Sequence, residues 1–166
     1  IILSCLSILN FAQPLMEMEP NDNFASANAV PATGSIDGNL SLFDVDYFSL
    51  SLPSNGVFTY TYTPDPNVWA SVSFFAPDGV SYINGSPGVV QTSTTFTKTC
   101  LSHATYYVKL DFDDINGSPG MYNFSWTFNP APGTADFEPN NDYGEAKFVN
   151  VTDSVTGHLR FQTDNG

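Results

Sequence analysis

Basic residues are scarce in this chain of 166 residues: four Lys and Arg stand against 17 Asp and Glu, and the net charge is −13. Four cations are too few to build a basic patch, which excludes a nucleic-acid binder and a protein drawn to anionic membranes by its charge. Charged residues make up only 13% of the chain, whereas aromatic residues reach 14%. This composition is typical of a folded domain with an apolar core, not of a disordered chain.

Glutamate is also rare, because 13 of the acidic residues are Asp and only four are Glu. Glu favours helices, whereas Asp favours turns and hard-cation sites. Alternation of apolar and polar residues predicts strands at 48–52, 58–63, 69–75, 106–112 and 122–128. We therefore expect an all-β fold, a jelly-roll-like antiparallel β-sandwich of about eight strands. One short helical segment is expected at 23–29.

Cysteine is limited to Cys5 and Cys100. Cys5 lies in the apolar segment 1–12, which is too short to span a bilayer and is typical of the hydrophobic part of a secretory signal peptide. We interpret residues 1–12 as a partial signal peptide and expect a secreted or cell-surface protein; the alternative is a lipoprotein acylation site at Cys5. Cleavage leaves Cys100 without an intrachain partner, so the apolar core, a metal ion or both must hold the domain.

An internal repeat divides the chain. Glu19-Pro-Asn21 recurs as Glu138-Pro-Asn140, and an offset of 119 residues gives nine identities between 19–40 and 138–159. We expect a β-sandwich module at 13–130, a Pro/Gly linker at 131–134, and the N-terminal part of a second, truncated module at 135–166. In that second copy, Asn141 stands where the first has Asp22, so we expect a poorer metal site there.

Oxygen-bearing side chains are concentrated in two short segments of the first module. Glu17, Glu19, Asn21 and Asp22 form one group, and Asp44 and Asp46 form the other. Alternation puts Glu17 and Glu19 on one side of an extended segment, and Asp44 and Asp46 on one side of another. If the segments meet, the ligand types suit Ca²⁺, and they suit Zn²⁺ poorly because no His or Cys lies nearby. The alternative is a solvated acidic loop.

Motifs for catalysis are missing. The chain has no Gly-x-Ser-x-Gly elbow, no His-Glu-x-x-His helix and no phosphate-binding loop, and His103 and His158 are its only histidines. We therefore expect that the protein is not an enzyme. The segment Asp111–Gly117 hints at a second calcium loop, but Ile115 occupies a ligand position of that pattern, which favours a plain turn.

The order and spacing of several motifs resemble those of the bacterial pre-peptidase C-terminal domain, a family related to the collagen-binding domains of clostridial collagenases. The motifs are Glu17-x-Glu-Pro-Asn-Asp22, Gly38-Asn-Leu40, Asp44-Val-Asp-Tyr-Phe48 and Gly120-Met-Tyr122. The resemblance implies a calcium-binding jelly roll that accompanies secreted enzymes. It also implies that the calcium ligands are Glu17, Glu19, Asn21, Asp22, Asp44 and Asp46, with Ser41 as a weaker candidate.

Two functions follow from this resemblance. The first is a non-catalytic, calcium-stabilised accessory module of a secreted bacterial multidomain protein, whose partners are adjacent domains of the same polypeptide. The alternative is an adhesion or substrate-binding module for a collagen-like protein or a polysaccharide. For that alternative, strand phase predicts Tyr47, Tyr82 and Tyr107 as outward aromatic residues; otherwise they are packing residues. Neither function involves nucleic acid or a segment inserted in the membrane after signal cleavage.

Overall fold

The computed structural model describes residues 14–83 and 88–130. These residues form ten strands and no helix: β1 (Leu15–Met16), β2 (Asn28–Val30), β3 (Gly34–Leu40), β4 (Val45–Ser51), β5 (Gly56–Pro64), β6 (Ala70–Phe75), β7 (Val89–Val90), β8 (Thr94–Leu101), β9 (Thr105–Phe112) and β10 (Gly120–Pro130). The predicted signal peptide at 1–12, linker at 131–134 and second module at 135–166 lie outside the described residues.

The strands form two five-stranded sheets that pack as a β-sandwich, which confirms the predicted fold class. The first sheet has the order β1-β3-β10-β5-β8, and the second has the order β2-β4-β9-β6-β7. Most neighbours are antiparallel, but β1 pairs with β3 and β2 pairs with β4 in parallel. These parallel pairs were not predicted, because strands of two or three residues are too short to show a period in the sequence.

The core lies between the sheets and is rich in aromatic residues. In β5, Phe58, Tyr60 and Tyr62 point inward and are at most 1% exposed, whereas the threonines between them face solvent. Phe48 of β4 stacks on Phe124 of β10 with ring centroids 5.5 Å apart. The alternation that predicted the strands is therefore the pattern of burial. No described segment is a helix long and apolar enough to cross a membrane.

The predicted helix at 23–29 is wrong. Asn23 instead begins a turn, in which its side-chain oxygen accepts hydrogen bonds from the backbone N–H groups of Ala25 (2.9 Å) and Ser26 (3.1 Å). The chain then enters β2 at Asn28. A short polar side chain that bonds to the following backbone competes with helix formation, and this local bond outweighs the alanines in the segment.

One end of the sandwich carries the acidic residues and is called the cleft end below. At this end β3 finishes at Leu40, β4 starts at Val45, and β10 starts at Gly120, which pairs with Leu40. The last residue of β10, Pro130, pairs with Gly56 at the opposite end. The eight residue steps from Tyr122 to Pro130 rise about 26 Å along the strand. The chain therefore leaves the sandwich far from the acidic residues.

Candidate metal centre

Two backbone hydrogen bonds hold the acidic N-terminal segment, residues 17–22, against the cleft end. The Glu17 N–H donates to the Asp37 carbonyl at 3.1 Å, which extends the β1–β3 ladder by one residue. The Tyr47 N–H donates to the Asn21 carbonyl at 3.0 Å. The segment thus bridges the first sheet to the second, so its side chains are presented between the two sheets.

The second acidic pair comes from the loop between β3 and β4 and from the start of β4. Asp44 ends this loop, and its Oδ2 accepts hydrogen bonds from the backbone N–H (3.0 Å) and the hydroxyl (3.3 Å) of Ser41. Asp46 is an inward residue of β4 and is fully buried. Ser41 therefore positions Asp44 through hydrogen bonds and also lines the cleft.

The structure brings the six predicted site residues together at an open cleft of about 390 Å³, which is lined by Glu17, Glu19, Asp22 and Asp44, whereas Asn21 and Asp46 are buried next to Glu19. Carboxylate oxygens of Glu17, Glu19 and Asp46 lie within 4.8 Å of one another, and so do those of Glu19, Asp22 and Asp44. Glu19 belongs to both groups. The outer residues Glu19 and Asp22 are exposed, whereas Asn21 and Asp46 are 0% exposed. The arrangement thus has a buried floor and a solvent-exposed mouth; that these residues bind a metal stays a prediction.

The buried amide of Asn21 lies between two carboxylates. One of its polar atoms is 3.0 Å from Asp46 Oδ1 and 3.0 Å from Glu19 Oε2. If this atom is nitrogen, the amide donates to both carboxylates. If it is oxygen, three oxygens face one another, and only a cation among them makes that arrangement favourable. The amide is therefore suited to either a metal-free or a metal-bound cleft.

A single hydroxyl lies between two further carboxylate oxygens on the floor of the cleft. Tyr122 Oη is 2.6 Å from Asp46 Oδ2 and 2.7 Å from Glu17 Oε2. A phenol has one proton and donates it to one acceptor at a time. The other short contact needs a second proton on a carboxyl group or a cation nearby. Among the described residues, no Lys, Arg or His side chain forms an ion pair with Asp46 or Glu17.

Burial and mutual repulsion disfavour the charged forms of these acids. Burial, together with the charges of Glu17 and Asp44, raises the pKa of Asp46 to about 9. Burial and the charges of Asp44, Glu17 and Asp22 also raise the pKa of Glu19. The metal-free floor therefore holds a proton at neutral pH. A divalent cation would replace that proton and relieve the repulsion.

Three residues of the site were missed as functional residues in the sequence. Tyr122 supplies the shared hydroxyl, and Asn39 donates its backbone N–H to Glu17 Oε1. Gly38 lies where a side chain would overlap the Glu17 carboxylate and the Tyr122 ring. The alternation of apolar and polar residues in the sequence shows that Tyr122 points inward. Its pairing with Gly38, however, depends on the strand register, which only the folded sheet defines.

The other candidate calcium loop is a turn, as the sequence favoured. Asp113 Oδ1 accepts the backbone N–H groups of Ile115 at 3.1 Å and Asn116 at 3.3 Å. Its Oδ2 accepts the Asn116 amide at 3.1 Å. Both carboxylate oxygens are therefore used within the turn, which is an ordinary role for Asp in this position.

Packing accounts for most of the outward aromatic residues. Phe24 lies on the outer face of the second sheet, with ring centroids 4.6 Å from Tyr47, 5.0 Å from Tyr107 and 5.2 Å from Phe75. Tyr82 packs on Phe75 at 4.5 Å and is 48% exposed. Phe24 thus covers much of the outer face of the second sheet, where the sequence predicted exposed aromatic residues for a ligand site. The same contacts attach the chain that follows Asp22 to this sheet.

Comparison with known proteins gives likenesses of fold. No family model and no curated protein matches the chain. Among solved structures, it is similar to the pre-peptidase C-terminal domain of collagenase from Bacillus anthracis, of the family that the sequence resembles, with 15% identity, a TM-score of 0.45, and coverage of 61% of this chain and 94% of that one. It is also similar to two periplasmic inhibitors of g-type lysozyme. PliG of Aeromonas hydrophila has 12% identity and a TM-score of 0.44, and the match covers 62% of this chain and 97% of that one. PliG of Salmonella Typhimurium has 11% identity and a TM-score of 0.43, and the match covers 62% of this chain and 99% of that one.

Proposed function

We propose that the protein is a non-catalytic accessory module of a secreted or cell-surface multidomain protein, and that Ca²⁺ in the cleft stabilises it. The observation that carries this proposal is the convergence of five carboxylates and one amide, with Asp46 and Asn21 fully buried. Buried carboxylates without a basic partner are costly unless they are protonated or coordinated. A bound divalent cation stabilises the folded chain because it removes that cost.

The donor set favours calcium over other metals. Among the described residues, neither cluster of carboxylate side chains includes a His or a Cys, which argues against zinc and copper. Calcium takes six to eight oxygen ligands, including amide and water oxygens, and tolerates irregular geometry. Five carboxylates, the Asn21 amide and water at the open mouth supply that number. Extracellular calcium near the millimolar range fills even a weak site of this kind.

Calcium acts in this proposal as a clamp on the N-terminal segment. Glu17, Glu19 and Asp22 come from that segment, whereas Asp44 and Asp46 belong to the sandwich. An ion bound to both groups stabilises the attachment of the segment to the two sheets. Because Pro130 lies at the opposite end, the clamp stiffens the N-terminal side of the module and leaves the exit of the chain unaffected.

A thermal melt of residues 13–130, which contain both sheets and the described core, tests the proposal. We expect a higher Tm in about 2 mM CaCl₂ than in EDTA. If the free calcium concentration is about a hundredfold above Kd, the stabilisation is about 2.7 kcal/mol, or roughly ten degrees for a domain of this size.

Matched variants make this test specific. Asp44→Asn and Glu19→Gln each remove one carboxylate from the cleft and should abolish most of the calcium shift. Asp65→Asn removes an exposed carboxylate from another loop and should leave the shift unchanged. A wild-type Tm that is equal in calcium and EDTA would mean that the cleft is a solvated acidic surface, and the proposal would then fail.

A further inference from the structure

All three methionines of the chain lie on the surface, and we call them the methionine cluster. Met16 is 64% exposed, Met18 is 72% exposed and Met121 is 41% exposed. None of the three belongs to the hydrophobic core. Methionine is an adaptable apolar residue that normally fills gaps in a core. Packing therefore does not explain why this protein keeps all of its methionines in solvent.

The N-terminal segment presents two kinds of ligand on its two sides. Its residues read Met16-Glu-Met-Glu19, and successive side chains of an extended chain point to opposite sides. Glu17 points into the cleft, where its Oε2 lies 2.7 Å from the Tyr122 hydroxyl. Met16 and Met18 therefore point away from the cleft, toward the outer face of the first sheet. Hard oxygen ligands face one side of the segment, and soft sulfur ligands face the other.

Strand register places the third methionine on the same outer face. Met121 of β10 pairs with Asn39 of β3, and Met16 of β1 pairs with Asp37 of β3. Asp37 and Asn39 point outward, because Gly38 between them is an inward, buried residue. β3 thus lies between the two strands that carry the methionines. The backbones of β1 and β10 are two strand spacings apart, which is about 10 Å.

Side-chain contacts bring this separation within reach of the sulfur atoms. The Asn39 amide donates to Met121 Sδ at 3.5 Å, so this sulfur is directed toward β3, on the side of β10 that faces β1. The backbone of Met18 is held by Asn28, which accepts its N–H at 2.8 Å and donates to its carbonyl at 2.8 Å. A methionine side chain has three rotatable bonds, so the three sulfurs can converge above Asn39.

The donor atoms identify the class of ligand. Thioether sulfur is a soft, neutral ligand that selects Cu(I), whereas Ca²⁺ and Mg²⁺ take oxygen ligands. A protein partner fits this surface less well, because the polar side chains of Asp37 and Asn39 separate the methionines and interrupt the apolar surface. The net charge of −13 does not choose among cations, but it raises the local concentration of any of them.

We propose that Met16, Met18 and Met121 bind one Cu(I) ion through their three sulfur atoms on the outer face of the first sheet. This site shares the N-terminal segment with the cleft but uses the opposite side of it. Backbone hydrogen bonds to Asp37 and Tyr47 hold the segment in place. Cu(I) binding therefore does not depend on calcium in the cleft.

Methyl NMR of residues 13–130, titrated with Cu(I) under anaerobic conditions, tests this inference. The protein carries ¹³C at the methionine methyl groups and is released from a fusion, so that only its own three methionines give signals. Cys100→Ala serves as the parent protein, because a thiolate would compete for a soft cation. We expect all three methyl signals to shift together and to reach a plateau at one equivalent of Cu(I).

Leucine substitutions locate the site, because leucine has nearly the size of methionine but no sulfur. Met16→Leu and Met121→Leu change different strands, and each should weaken Cu(I) binding at least about tenfold in competition with a chromophoric Cu(I) chelator. His103→Gln is the matched control. His103 is the only histidine of residues 13–130, so this variant removes the other common copper ligand and should leave the affinity unchanged.

Methyl signals that stay in place in excess Cu(I), or that shift independently of one another, would overturn the inference. Equal Cu(I) affinity of the parent protein and both leucine variants would also overturn it. Circular dichroism confirms that the variants are folded. A calcium melt separates the two proposals, because the leucine variants should keep the calcium shift of the parent. If the parent itself shows no calcium shift, the copper result is unaffected.

Discussion

Asp46 and Tyr122 belong to different sheets, and the hydroxyl of Tyr122 donates to Asp46 Oδ2 at 2.6 Å. The two residues are 76 positions apart in the sequence. The same hydroxyl contacts Glu17 Oε2 at 2.7 Å. This one group therefore connects the second sheet, the first sheet and the N-terminal segment. Its single proton serves one carboxylate at a time, so the second short contact needs a proton on a carboxyl group when no cation is bound.

The substitution Tyr122→Phe should destabilise the metal-free protein by about 1–3 kcal/mol. Asp46 and Glu17 then lose the hydroxyl that lies between them, while their carboxylates remain close together. In saturating calcium the loss should be smaller, since the cation then screens the carboxylates. Urea unfolding in EDTA and in calcium measures both effects. An equal loss in the two conditions would show that the hydroxyl has a packing role unrelated to the charge of the cleft.

Stability of the metal-free protein should fall as the pH rises. The pKa of Asp46 is raised to about 9 in the folded state, whereas an unfolded Asp titrates near 4. Between these values the folded state binds more protons than the unfolded state, so the free energy of unfolding decreases with increasing pH. Glu19, whose pKa is also raised, adds to the same trend.

Urea titrations in EDTA at about pH 5 and about pH 8 check this prediction. Asp46→Asn should flatten the pH dependence, because it removes the largest contribution. Calcium must displace the proton, so its apparent Kd should fall as the pH rises across the same range. If the wild type and Asp46→Asn have parallel pH profiles, the proton is not held at Asp46.

Gly38→Ala should lower stability and abolish the calcium shift. An added Cβ at Gly38 overlaps the Glu17 carboxylate and the Tyr122 ring, so both groups must move from the floor of the cleft. Gly88→Ala is the matched control, because a Cβ there meets no atom of the described residues within 4 Å. Thermal melts with and without calcium measure both variants. A normal calcium shift in Gly38→Ala would exclude Glu17 as a ligand.

Tyr60→Phe and Tyr62→Phe should be neutral or stabilising. Their hydroxyls are buried without a hydrogen-bond partner among the described residues, so their removal eliminates a desolvation cost of up to about 1–3 kcal/mol. Tyr106→Phe is the contrasting variant, because the Tyr106 hydroxyl accepts the Ser102 N–H at 3.0 Å. We expect that variant to lose about 1 kcal/mol. Chemical denaturation of the three variants measures the difference, and a clear loss in Tyr60→Phe would indicate an ordered partner for its hydroxyl.

How far the sequence reveals the fold depends on the length of each strand. Strands such as β5 and β10 alternate over many residues, so their existence and inward faces were predictable, and their ends were predicted to within two residues. β1 and β2 have two and three residues, and they exist because β3 and β4 offer free edges for parallel pairing. Nothing within such short segments distinguishes a strand from a loop.

The sequence by itself determined the class of the fold, the inward residues of the long strands and the residue types of the acidic cleft, because periodicity and donor chemistry are local properties. The tertiary structure alone decided that Glu17, Asp46 and Tyr122 meet, that Phe24 covers the outward tyrosines, and that Phe43 is fastened to Asp114. These contacts connect residues that are 105, 76, 23 and 71 positions apart. They depend on strand register and on the packing of one sheet against the other, which no local pattern encodes.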